Sequence, residues 1–175
     1  VGTSAPTGRG VATVALDASV LINFLILNRM GILSDLPGYR FVVLDAVEQE
    51  VRRPQQQLTL TRAFEQGFVD HAGAANPGEL EVFADHRRVM GLGEAACLAA
   101  AEVRGWMLAS DERRLFRTIA LGRIGEDRIL TTPAILVLAV KAGVIAVEEL
   151  RESKEELERN RFRAPLEAFE GLVSS

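Results

Sequence analysis

Residues 11–16, "VATVAL", form a nearly continuous apolar run that stops at a lone carboxylate, Asp17. A strand that is apolar on both faces must have both faces covered, as in the middle of a parallel sheet. Parallel neighbours need crossover connections, usually helices. The run that follows, residues 19–30, reads as a mostly buried helix ending near Gly31. The pattern then repeats. Strands are expected at 41–44, 106–109 and 128–131, with a minor one at 68–71. Helices are expected at 46–53 (stopped by Pro54), 58–66 and 79–89. Gly91 to Gly93 break the last of these, and a further helix spans 94–104, with Gly105 in the usual closing position. "AGAANPG" is a loop, and helices follow at 111–122, at 133–142 with proline in the first turn, and at 147–161, where Glu155 and Arg159 are spaced as a supportive pair. Strands alternating with helices predict an α/β fold, a doubly wound, mainly parallel central sheet with helices on both faces. Ligands of such sheets sit at the carboxyl ends of the strands.

At 175 residues the chain suits one domain with a substantial core. Residues 1–10 have no apolar pattern and read as a flexible tail, and a first residue other than methionine favours processing or truncation. Residues 11–146 hold the α/β pattern, and 147–175 read as a helical extension of the same domain. The longest apolar stretches, 20–27 and 134–140, are too short to span a bilayer. One cysteine, Cys97, excludes an intramolecular disulfide and a thiolate metal cluster, and it fits a reducing cytoplasm. A net charge of −4 argues against a generally basic nucleic-acid coat but leaves room for a basic rim around an acidic centre. Only Lys141 and Lys154 are lysine among 20 basic residues; this skew towards the phosphate-matching arginine fork is also what genome composition would produce.

Asp17 directly follows the first strand and Asp111 follows the third, in "WMLASDERR". Each alone is explained as a helix N-cap, a task that Ser19 or Ser110 could share. Glu94 shares a helix face with Cys97, Leu98 and Ala101, which directs it to the interior or to a cleft at its rim. The alternative for Glu94 is a charge favoured by the helix dipole. Glu48 and Glu50 flank the Val47/Val51 stripe almost symmetrically, so periodicity does not choose between them. Four acids reaching one place from four elements suit a hard divalent cation such as Mg²⁺ or Mn²⁺. The chemistry that needs such a cluster is phosphodiester hydrolysis.

These segments resemble a PIN domain, the metal-dependent nuclease fold of the toxin half of VapBC toxin–antitoxin pairs. "VALDASVLINFL" resembles the opening strand, aspartate and helix. "VEQEV" resembles the family's Val-x-x-Glu helix, which selects Glu50 over Glu48. "GLGEAACLAAAEVRG" resembles the segment of the third acid, at Glu94, and "WMLASDERRLFR" the strand ending in the fourth, at Asp111. "RILTTPAILVLAVKAGVI" resembles the closing strand and helix. The resemblance implies a ribonuclease using Mg²⁺ or Mn²⁺, with Asp17, Glu94 and Asp111 as metal ligands and Glu50 as a ligand directly or through water. It also implies an RNA substrate, a small antitoxin partner and a homodimer. Ser19 and Ser110 either cap helices or orient a carboxylate or a metal-bound water, and Arg113, Arg114 and Arg117, just beyond Asp111, either hold RNA phosphates or form a solvated helix face. Two features depart from the pattern: Glu50 and Glu94 have longer arms than aspartate, and a fifth acid, Glu112, adjoins Asp111. His71 and His86 read as too isolated to form a metal pair, and Cys97 as a small core residue. Two other classes compete. One is a catalytically weak scaffold that binds RNA or a protein. The other is a haloacid-dehalogenase-like phosphatase, whose Asp-x-Asp is interrupted here by Ser19.

Overall fold

The computed structural model describes residues 10–160; most of the expected 1–10 tail and the end of the 147–175 extension lie outside the described residues. Five parallel strands form one sheet: β1 (Ala12–Leu16), β2 (Tyr39–Val43), β3 (Asp70–His71), β4 (Met107–Ala109) and β5 (Ile129–Leu130), in the order β3-β2-β1-β4-β5. Val14, Ala15 and Leu16 are wholly buried, as a central strand covered on both faces requires. From β1 the chain builds outward to β2 and β3, then returns to the other side of β1 for β4 and β5. The order therefore reverses between β1 and β4, the position at whose carboxyl edge sheets of this kind place their ligand crevice.

Helices α1 (Ala18–Leu27), α2 (Gly31–Asp35), α3 (Asp45–Glu48), α4 (Pro54–Glu65), α5 (Pro77–His86), α6 (Leu92–Arg104), α7 (Arg114–Ile124), α8 (Thr132–Lys141) and α9 (Val147–Arg159) cover the sheet. Helix α6 brings Ala95, Cys97, Ala99, Ala100 and Ala101 inward, all wholly buried, and such small side chains permit close packing. Helix α9 is charged outside, but Leu150, Ser153 and Leu157 are buried against α1 and α8. Arg29 ties it down through Glu149 (2.7 Å) and Glu152 (3.2 Å).

Several boundaries differ from the sequence reading for local reasons. Helix α1 stops at Leu27 because Asn28 takes the left-handed conformation (φ 51°) that asparagine tolerates, and Gly31 opens α2 instead of closing α1. The helix expected over 46–53 is a single turn tightened by Glu50 N–H to Val47 and Val51 N–H to Glu48 bonds. Pro54 then begins α4 as its first residue, four residues ahead of the expected start. Arg159 pairs with Glu156, 2.5 Å away and three residues back, in place of Glu155. The helix expected at 111–122 begins only at Arg114, leaving Asp111 outside it.

Candidate metal centre

Asp17 follows β1 directly, at the N-cap position of α1, yet its side chain makes no cap bond. Instead its Oδ2 accepts from the Ser19 hydroxyl (2.7 Å) and the Ser110 hydroxyl (3.0 Å). Ser19 Oγ in turn accepts the Asp111 N–H (3.0 Å), and Ser110 Oγ accepts the Glu112 N–H (3.1 Å). The two serines thus stitch the end of β1 to the loop after β4. Asp17 is only 2% exposed. Its Oδ1 accepts no hydrogen bond from the described residues.

Asp111 is not a cap of its own helix either. Its Oδ1 accepts the backbone N–H of Thr132 (2.8 Å), the first residue of α8, so it caps a different helix. Its Oδ2 accepts from Asn23 Nδ2 (2.9 Å) and Thr132 Oγ1 (2.5 Å). Burial pushes the Asp111 carboxyl above its ordinary value; the Thr132 and Asn23 hydrogen bonds oppose this, and the nearby Asp17 charge adds to it.

Glu94, in the first turn of α6, caps that helix: its Oε2 accepts the Gly91 N–H at 2.7 Å. Glu50 reaches the same helix start, where its Oε1 accepts the Gly93 N–H at 2.8 Å. A Cβ on Gly93 would lie 2.5 Å from Glu50 Oε1, so only glycine lets the carboxylate dock there. Gly93→Ala should leave the unfolding midpoint level or slightly lowered, since the helix preference of alanine, about 1 kcal/mol, is offset by the lost bond from the Gly93 N–H to Glu50. Any cleavage that depends on Glu50 should fall about 10–100-fold. Denaturant unfolding and cleavage rates measured on one preparation check both halves.

The four acids act on a common region. Burial first, then the charges of Asp17, Glu94, Asp111 and Glu50, raise the Glu112 carboxyl above its usual range. Burial, then Asp17, Glu50 and Glu94, push the Cys97 thiol well up; it donates to the Leu16 carbonyl at 3.5 Å and is a protonated core residue.

A family model described as a PIN domain matches residues 13–174. The chain belongs to the PIN domain family. PIN domains are generally nucleases and generally use a divalent metal. No curated protein matches this sequence. The five-stranded parallel sheet with helices on both faces is the architecture that the motifs implied for a PIN domain. The match runs through α9, so that helix lies within the segment assigned to the family.

The donor set of this PIN domain suits a hard cation. Asp17, Glu50 and Glu94 each have one oxygen anchored and the other without a partner. Asp111 Oδ1 accepts one bond and retains a lone pair. The anchoring also spreads the acids apart: no three of them bring donor oxygens within 4.8 Å of one another. The group among the described residues that does so is Asp45, Glu48 and His71, all exposed, at the ends of β2 and β3. His71 is therefore less isolated than its sequence position suggested; its ring stacks on Phe64 (centroids 3.7 Å apart) and its Nδ1 lies 3.7 Å from Glu48. Glu48 belongs with that group and Glu50 with the crevice, the separation that periodicity left open. His86 is buried beside Glu102, at 2.5 Å. Arg113 and Arg114 are exposed at the head of α7, next to the crevice, and Arg117 is half-buried one turn on. Asn23 and Thr132 were not singled out from sequence. The available signal was weak: a lone amide inside an apolar helix, and a threonine beside a proline.

Proposed function

We infer that this PIN domain is an endoribonuclease that hydrolyses RNA phosphodiester bonds with Mg²⁺ or Mn²⁺. We place it with the toxin type, with a small antitoxin as partner, a homodimeric assembly and a cytoplasmic setting. The observation that carries the enzymatic reading is the set of carboxylates at the strand-order reversal, Asp17, Glu50 and Glu94 each anchored through one oxygen and Asp111 through both. Left alone, such a crevice repels a phosphate backbone. A hard divalent cation bound there supplies activated water and neutralises charge on the attacking and leaving oxygens. Asp17 and Asp111 would hold it, with Glu94 as a third ligand and Glu50 binding directly or through water. Ser19 and Ser110 orient Asp17 through its Oδ2, and Arg113, Arg114 and Arg117 flank the path of the RNA phosphates. The antitoxin, the dimer and the setting rest on the resemblance of the motifs to toxin-type members.

A second reading, a weak or inactive scaffold that binds RNA or a protein, has one observation in its favour: Glu50 and Glu94 are both turned onto backbone N–H groups at the start of α6. A panel of structured and single-stranded RNAs separates the two. Cleavage with Mn²⁺ that disappears in EDTA and in Glu94→Gln is the expected result. Cleavage that survives either treatment would overturn the metal mechanism. RNA retained in EDTA with no cleavage under any condition would select the scaffold.

A further inference from the structure

Asp111 is held by two side chains from helices that otherwise form core. Asn23 is 7% exposed in the apolar α1, and Thr132 is fully buried at the start of α8. An amide nitrogen carries two hydrogens, and Asn23 uses both: one on Asp111 Oδ2 (2.9 Å), the other on Thr132 Oγ1 (3.2 Å). Having accepted that bond, the Thr132 hydroxyl directs its own hydrogen to the same Asp111 Oδ2 (2.5 Å). The backbone N–H of Thr132 holds Oδ1 (2.8 Å). Oδ2 therefore accepts two bonds, while Oδ1 accepts one and keeps a lone pair. Asp17 is asymmetric in the same sense, with two hydroxyls on Oδ2 and no bond on Oδ1.

We propose that Asn23 and Thr132 are positioning residues of the metal centre. They saturate Oδ2 of Asp111, fix its rotamer between α1 and α8, and leave Oδ1 as the oxygen that binds the cation. This rests on the reading of Asp111 as a metal ligand. Without the clamp, a half-buried carboxylate could rotate, and either oxygen could turn to the nearest donor. Affinity would be lost although every ligand residue remains.

The test is Mn²⁺ titration followed by electron paramagnetic resonance. A His71→Ala background keeps the exposed Asp45–Glu48–His71 group out of the signal, and unfolding in EDTA is measured alongside. Thr132→Val and Asn23→Ala should each weaken Mn²⁺ binding about 10–100-fold, whereas Thr132→Ser, which keeps the hydroxyl, should stay within about threefold of the parent. A purely structural role would lower the unfolding midpoint in EDTA without separating Ser from Val in Mn²⁺ affinity. If Thr132→Val does not fold, Asn23→Ala, on a different helix, decides. Parent-like affinity in both Thr132→Val and Asn23→Ala, or failure of Thr132→Ser to keep it, overturns the clamp. Asp111→Asn separates the two levels. If it loses Mn²⁺ and Thr132→Val does not, only the clamp falls; if Asp111→Asn binds like the parent, the ligand reading falls and the clamp with it.

Discussion

Asp17→Asn should lower the rate of RNA cleavage about a thousandfold, equivalent to about 4 kcal/mol of lost transition-state stabilisation. The unfolding midpoint in EDTA should fall little or not at all. The substitution keeps the shape of the side chain and removes its charge. Its partners on Oδ2, the hydroxyls of Ser19 and Ser110, can each donate or accept, so an amide in that position stays satisfied. The bridge between β1 and the loop after β4 survives, because Ser19 and Ser110 also accept the Asp111 and Glu112 N–H groups. What disappears is the carboxylate charge. Single-turnover cleavage with saturating Mn²⁺, alongside thermal unfolding, measures both quantities. A tenfold loss or less would remove Asp17 from the centre of the mechanism.

The second large effect concerns stability. Asp111 and Glu112 are held above ordinary carboxylate values in the metal-free protein, mainly by burial and then by neighbouring acids. Between the ordinary and the raised values, the folded chain keeps protons that the unfolded chain has released. Stability from these groups is therefore greatest at low pH and falls as pH rises through that window. In EDTA the unfolding midpoint should climb as pH is lowered through the raised values of these two carboxyls, and Asp111→Asn should flatten part of this slope. A divalent cation reverses the trend, since it binds the deprotonated acids and competes with protons. At neutral pH, Mn²⁺ at about a hundred times its dissociation constant should add about 2.7 kcal/mol, or roughly 5–10 °C in a chain of this size. The gain should shrink at acidic pH. Calorimetric scans across pH, with and without Mn²⁺, test it. A midpoint in EDTA that rises with pH, or one that ignores Mn²⁺ at pH 7, contradicts the electrostatic description of the crevice.

The same carboxylates show which parts of the site were legible in sequence. Asp17 and Asp111 stand immediately after apolar strand runs, and a strand that must be buried on both faces puts its following residue at the ligand-binding edge. Glu94 was visible because a charge on the apolar stripe of a helix is anomalous. Glu50 was not separable from Glu48 by periodicity, since both flank Val47. The separation came from a tight turn that ends α3 after one turn, sending Glu50 to Gly93 and leaving Glu48 with Asp45 and His71. Capping, the expected alternative use of these acids, is also present but redistributed: Glu94 caps its own helix, Asp111 caps α8, and Asp17 caps nothing.

The sequence by itself determined the alternation of strands and helices, the central place of residues 12–16, and the edge on which the acids gather. Those are consequences of apolar periodicity and chain direction, which are local properties. Only the tertiary structure decided which oxygen of each acid is anchored, that Asn23 and Thr132 hold Asp111, and that the loop of Asp111 stays out of α7. Those depend chiefly on hydrogen bonds between distant parts of the chain, 21 positions apart for Asp111 and Thr132, 43 for Glu50 and Gly93, 88 for Asn23 and Asp111, and 92 for Ser19 and Asp111. No periodicity encodes such contacts; they exist only once β1 and β4 lie side by side.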